Sequence, residues 1–189
     1  MSESSFKLRM MIVTALFAAI ISVLAQVVIP LPFGVPITGQ TLAIGLAATI
    51  LGSRLGTTST LLYLMIGAIG MPVFAQFTGG LGILIGPTGG FLVGFIPAVF
   101  IMGYYLEKTS FTMMHALIAN IIGMFITLIF GMVWLKFIAE ITWTAAFLGG
   151  FAPFIIGGLI KAFIAASAGI TVRNRLITAN LLHQTKSST

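Results

Sequence analysis

Apolar runs of membrane-crossing length, broken by Pro, Gly and isolated charges, occupy nearly the whole chain. The breaks predict spans near 9–29, 38–53, 57–70, 87–106, 112–135 and 147–172. A helix needs about 17 to 25 apolar residues to cross a hydrocarbon core of about 30 Å, so the second and third spans are short. Six such segments leave no room for a separate soluble domain, and residues 1–189 are expected to form a single membrane domain. The fold class is therefore all-α and integral to the membrane, with six transmembrane helices. The run from Met10 to Ile29 follows Lys7 and Arg9 as the core of a signal peptide would. Its length and the spans behind it predict a retained first helix instead.

Composition sharpens this picture. With 59% hydrophobic and 6% charged residues, a soluble globular core is excluded. The net charge of +6 would suggest nucleic acid in a soluble protein, but here the basic residues sit at the edges of apolar runs, which makes them topology signals and not a nucleic-acid face. An alternating path puts Lys7, Arg9, Arg54, Lys108, Arg173, Arg175 and Lys186 on one side and Lys136 on the other. By the positive-inside rule, both termini are cytoplasmic. The uncharged outer connections, from Pro30 to Ile37 and from Met71 to Gly86, are rich in Pro, Gly and aromatics. They read as lids folded back over a ligand pocket, with tight interfacial turns as the alternative.

Small residues mark close helix packing. Gly82, Gly86, Gly90 and Gly94 recur every four residues and make one smooth stripe if that stretch is helical, although Pro87 can begin the helix later. In the first span, Ala15 with Ala19, and Ala18 with Ser22, form small-xxx-small pairs suited to packing within the chain or to docking another membrane subunit. Trp134, Trp143, Tyr104 and Tyr105 stand where interfacial anchors are expected. Asn120 is read as bonding across helices in preference to lining a pocket.

Candidate chemistry is sparse. Lys161 is the one charged residue near the middle of a predicted span, where it costs about 2.5 to 3.5 kcal/mol on insertion scales. Thr38, Gln40, Thr41, Gln76, Thr78 and Thr88 lie toward the outer half. Together these groups suit a small amphipathic anion, with the lysine on a carboxylate and the amides and hydroxyls on a neutral head. The alternative is a lysine that snorkels or bonds backbone carbonyls. No acid lies within a predicted span, and no phosphate-binding Gly-rich loop, Ser/His/Asp set or His/Glu metal cluster is present. The chain is therefore expected to be neither enzyme nor ATPase and to use no cofactor or metal, with energy for uphill transport coming from other chains. The absence of cysteine excludes disulfides and thiolate metal sites.

The stretch Gly86-Pro-Thr-Gly-Gly-Phe-Leu-Val-Gly-Phe resembles the signature of the BioY family, the biotin-specific membrane subunit of energy-coupling factor transporters. The stretches Val35-Pro-Ile-Thr-Gly-Gln-Thr-Leu and Gly70-Met-Pro-Val-Phe-Ala, together with the Lys161 segment, agree in order and spacing, and the resemblance runs from about Ala15 to Arg173. It implies a subunit of a prokaryotic plasma membrane that binds biotin beneath its outer loops. Lys161 would meet the biotin carboxylate, with the ligand surrounded by Thr38, Gln40, the loop of Phe74, Gln76, Gly79 and Gly80, and the signature pair Thr88 and Gly89. It further implies docking through Ala15 and Ala19 to a transmembrane coupling subunit driven by two cytoplasmic ATPase subunits. Many members of the family carry an acid three residues before the lysine, where this chain has Gly158, so Lys161 is expected to lack compensation in an empty pocket. Rival readings are a sister subunit for another carboxylated vitamin, a membrane assembly protein without ligand, and a self-contained facilitator.

Overall fold

Uninterrupted apolar sequence forms the long helices. The computed structural model describes residues 3–31, 35–179 and 181. In chain order these are α1 (Glu3–Leu24), β1 (Val28–Ile29), β2 (Ile37–Thr38), α2 (Gln40–Ala68), a 3-10 turn (Ala75–Phe77), α3 (Leu81–Ile85), α4 (Gly89–Lys108), α5 (Met113–Ile138), α6 (Trp143–Gly150) and α7 (Phe154–Thr178). The two short strands pair antiparallel, Val28 with Thr38 and Ile29 with Ile37. His183, Lys186 and part of the first outer connection lie outside the described residues.

Although assigned as one helix, α2 is not straight. Gly52 has φ 81° and ψ −169°, and the Gln40 side chain bonds the Tyr63 hydroxyl at 2.5 Å. A straight helix would hold those two residues about 35 Å apart. The chain therefore reverses at Gly52 into two antiparallel arms, 40–51 and 53–68, of about 18 and 24 Å. Neither arm reaches the length of the other spans. Among the described residues, four stretches are long and apolar enough to cross a membrane: Lys7–Leu24, Gly89–Lys108, Met113–Ile138 and Trp143–Thr178, the last combining α6 and α7.

Charge closes this reversal. A helix end leaves carbonyls unpaired at its C-terminus and N–H groups unpaired at its N-terminus. The Ile50 carbonyl, ending the first arm, accepts from the buried Arg173 guanidinium. The Ser53 N–H and hydroxyl, opening the second arm, both donate to the Glu107 carboxylate at 2.7 Å. Each helix end thus meets the sign of charge its dipole favours. Arg173 also lies 3.4 Å above the Phe111 ring. Glu107, just beyond the predicted fourth span, belongs to the last turn of α4.

Pro and Gly shift the remaining boundaries. The predicted span 147–172 divides, because Gly149 and Gly150 end α6 and Pro153, which has no N–H to donate, stands at the start of α7. Pro87 likewise delays α4 to Gly89, so the glycine stripe is only half realised. Gly90 and Gly94 admit Trp134 and Phe130 of α5, whereas a Cβ at Gly82 would meet nothing within 4 Å. Trp134 is held internally, its Nε1 donating to the Gly86 carbonyl at 3.0 Å. The core gathers Ile21 of α1, Ile44 and Tyr63 of α2, Phe95 and Val99 of α4, Ala119 of α5 and Ala166 of α7.

At Gly52 a Cβ would fall 2.4 Å from Glu107 Oε1, in a backbone conformation that L residues avoid. Gly52→Ala is expected to destabilise the fold by about 2 kcal/mol or more. Thermal unfolding in detergent measures this as a lowered midpoint.

Candidate ligand-binding site

Side chains on a helix tilt toward its N-terminus. Lys161, two turns into α7, accordingly points toward the end of the molecule that carries the β1–β2 hairpin. Its Nζ donates to the Thr38 carbonyl at 2.7 Å and to Thr41 Oγ1 at 3.2 Å. Among the described residues no carboxylate pairs with it. Two neutral oxygens therefore satisfy N–H groups of the lysine, as its backbone-bonding alternative anticipates, while its charge has no carboxylate beside it. A Cβ on Gly158 would lie 2.4 Å from Met124 Sδ, so a thioether occupies the space beside that position.

Polar groups continue from this point. The Thr38 hydroxyl donates to Gln40 Oε1 at 2.9 Å, and Gln40 Nε2 donates to the Tyr63 hydroxyl at 2.5 Å. Tyr63 is fully buried and meets Phe74 edge to face, with ring centroids 5.5 Å apart. The reversal at Gly52 makes this chain possible, because it returns Tyr63 of the second arm to Gln40 of the first.

Phe74 arrives on a tight loop. Its N–H donates to the Thr78 carbonyl at 2.9 Å, and the Gly80 N–H donates to the Gly67 carbonyl at 2.7 Å. Between these anchors Gln76 (φ 58°) and Phe77 (φ 54°) take the left-handed conformation, at a cost of about 1 to 2 kcal/mol for each non-Gly residue. That backbone turns Gln76 to the cavity and leaves Phe77 73% exposed.

The cavity so enclosed has a volume of about 230 Å³. Thr38, Gln40, Thr41, Gln76, Thr78, Thr88 and Lys161 give it polar groups, and Phe74, Phe91, Phe95, Met124, Leu128 and Phe154 give it apolar walls. Of the sequence-derived candidates, Lys161, Thr38, Gln40, Phe74, Gln76 and Thr88 line it together. Gly79, Gly80 and Gly89 do not. They act on the backbone instead: Gly80 has φ 97°, and a Cβ at Gly79 or Gly89 would run into the Met71 or Leu84 carbonyl.

Asn120 bonds across helices as expected, donating to Thr49 Oγ1 at 2.9 Å and to the Ala116 carbonyl at 2.8 Å, and it also lines the cavity, the reading placed second. Phe91, Phe95 and Met124 are lining residues that sequence reasoning missed. Phe91 and Phe95 stand four residues apart on α4, a helical spacing that marks a shared face. Tyr63, which supports Gln40 without lining the cavity itself, carries its own signal, since a mid-span phenol needs a partner. On α1 the two small-residue pairs separate: Ala18 is buried and Ser22 half-buried, whereas Ala15 and Ala19 are exposed.

A helical membrane protein that encloses a mostly apolar cavity, with one ammonium and a set of neutral amides and hydroxyls, belongs to the class that binds small organic solutes within the bilayer. The family model for BioY matches residues 1–178, and the chain belongs to the BioY family. Among its relatives, the biotin transporter BioY2 of Lactococcus lactis subsp. cremoris is 40% identical over 174 residues, covering 92% of this chain and 95% of that protein. The biotin transporter BioY of Rhizobium etli is 40% identical over 175 residues, covering 87% and 92%. The crystal structure of the S-component for biotin from an ECF-type ABC transporter superposes with a TM-score of 0.84 at 28% identity, covering 92% of this chain and 95% of that one.

Removing the Tyr63 hydroxyl strands a buried amide. Tyr63→Phe is expected to lower stability by about 1 to 3 kcal/mol through the unpaired Gln40 Nε2. Chemical or thermal unfolding in detergent reads the difference directly.

Proposed function

We propose that this chain is the biotin-binding membrane subunit of an energy-coupling factor transporter in a prokaryotic plasma membrane. The observation that carries the reading is Lys161, an ammonium bordering a mostly apolar cavity in a chain whose relatives are named biotin transporters. An ammonium has three N–H donors, and two are used by Thr38 and Thr41. A ligand carboxylate takes the third, or displaces the weaker bond to Thr41, and forms a charge-assisted pair in a site of low dielectric. The aromatic and thioether walls receive an apolar chain. The amides and hydroxyls of Gln40, Gln76, Thr88 and Asn120 offer both donors and acceptors to an uncharged polar head. With glycine at 158, no internal carboxylate competes for Lys161.

Uptake requires partners in this reading. The exposed Ala15 and Ala19 make a smooth strip on α1 on which a transmembrane coupling subunit can seat closely, and two cytoplasmic ATPase subunits supply the energy. The Lys161 bond to a backbone carbonyl also favours a second reading, a membrane assembly protein in which the lysine has only a structural role.

Titration calorimetry separates the two. Biotin is expected to bind tightly, and both Lys161→Met and a biotin amide lacking the carboxylate are expected to weaken binding by about 10- to 100-fold. Loss of folded yield with no biotin binding in the parent chain supports the assembly reading. For docking, Leu at both 15 and 19 is expected to abolish co-purification with the coupling subunit while leaving biotin affinity unchanged. Intact transport by that double variant refutes the docking face.

A further inference from the structure

Gln26 lies two residues beyond the end of α1, and its side chain crosses to the pocket loop. Nε2 stands 3.0 Å from the Phe74 carbonyl, 3.3 Å from the Val73 carbonyl and 3.1 Å from the Ser22 carbonyl. Oε1 accepts the Phe77 N–H at 2.9 Å. One primary amide, with two N–H groups and one carbonyl, thus holds three backbone groups of a loop about fifty residues away in sequence. The ladder-like bonds of that loop run within itself or back to the end of α2. Among the described residues, the hydrogen bonds that join it to the end of α1 are those of Gln26.

The loop needs such a tie. Gln76 and Phe77 are non-glycine residues in the left-handed region, and such backbone persists only where surrounding contacts over-determine it. The Phe77 N–H is fixed by Gln26 itself. The same turn carries Phe74 and Gln76 to the cavity wall. Phe74, Ala75 and Gln76 form part of the cavity wall on that side, so displacing the segment widens the opening there.

We propose that Gln26 is the latch of the pocket, a positioning residue that holds the 73–77 segment closed against α1 and so sets how long a ligand is retained. The ligand half of this proposal rests on the biotin-binding reading above, whereas the latch itself is testable without any ligand.

The test uses the full chain in detergent, with Gln26→Ala and Gln26→Glu. In the ligand-free protein, amide exchange over 71–80 is expected to rise about tenfold in Gln26→Ala, with α4 and α5 unchanged. Gln26→Glu keeps an acceptor for the Phe77 N–H but sets a carboxylate against two carbonyls, so Phe77 should retain much of its protection while the loop around it loses its own. In stopped-flow chase experiments biotin is expected to dissociate about tenfold faster from both variants, and the ratio of biotin to biotin-amide affinity should stay at the parent value, since Lys161 is untouched. Unchanged exchange over 71–80, or a uniform rise across every helix, overturns the latch. If the parent chain binds no biotin, the ligand reading fails, and the exchange measurement still decides the role of Gln26.

Discussion

A lysine inside a helical bundle has to find oxygen for its N–H groups, and Lys161 finds it at the junction of β2 and α2. The bonds to Thr38 and Thr41 span the gap between α7 and the first arm of α2, so the same contact that satisfies the charge also fixes how two spans face each other. Because both acceptors are neutral, the ammonium remains uncompensated in charge while it is satisfied in geometry. That combination leaves attraction available for an incoming anion. Pocket chemistry and helix placement are here one interaction, and the Thr38–Gln40–Tyr63 chain extends it to the second arm of α2.

The two ends of the molecule are built differently. At the basic end, Arg173 and Glu107 bond the backbone on either side of Gly52. Hydrogen bonds to charged groups contribute about 1.5 to 3 kcal/mol, against about 1 kcal/mol for neutral ones. At the opposite end, the hairpin and the Phe74 loop are held by neutral amides and backbone bonds, together with a strained turn. The weaker closure lies over the cavity. A binding subunit that must admit and release a solute on that side draws its moving parts from the low-stability end of the structure, as local unfolding requires.

Much of this was legible in sequence because the membrane imposes few solutions. Length and apolarity mark the long helices α1, α4 and α5, and the mid-span Lys161 does line the cavity. Basic residues at segment edges marked Arg173 only as a topology signal, since a count of charges cannot tell a solvated arginine from one buried on a helix end. Phe91 and Met124 were illegible as lining residues because any apolar-bundle residue can face lipid, a neighbour or a void. Only the reversal at Gly52 and the close approach of α4 to α5 through Gly90 and Gly94 decide which. Gly79, Gly80 and Gly89 drew attention as ligand contacts. Their roles turned out to be conformational, which a glycine signature does not distinguish.

Helix α1 joins these threads. It is much less buried than α4 or α5, and it packs chiefly against α2. Its inward face uses Ala18 and Ile21, its outward face presents Ala15 and Ala19, and just past its end Gln26 grips the pocket loop. A displacement of α1 therefore breaks fewer core contacts than a displacement of α4 or α5, and it acts on the loop through the Gln26 side chain. In the proposed reading, partner contact on the alanine strip and closure over the cavity share this one helix. Coupling between them then requires only a rigid-body shift of α1 against α2, with the Lys161 junction left intact.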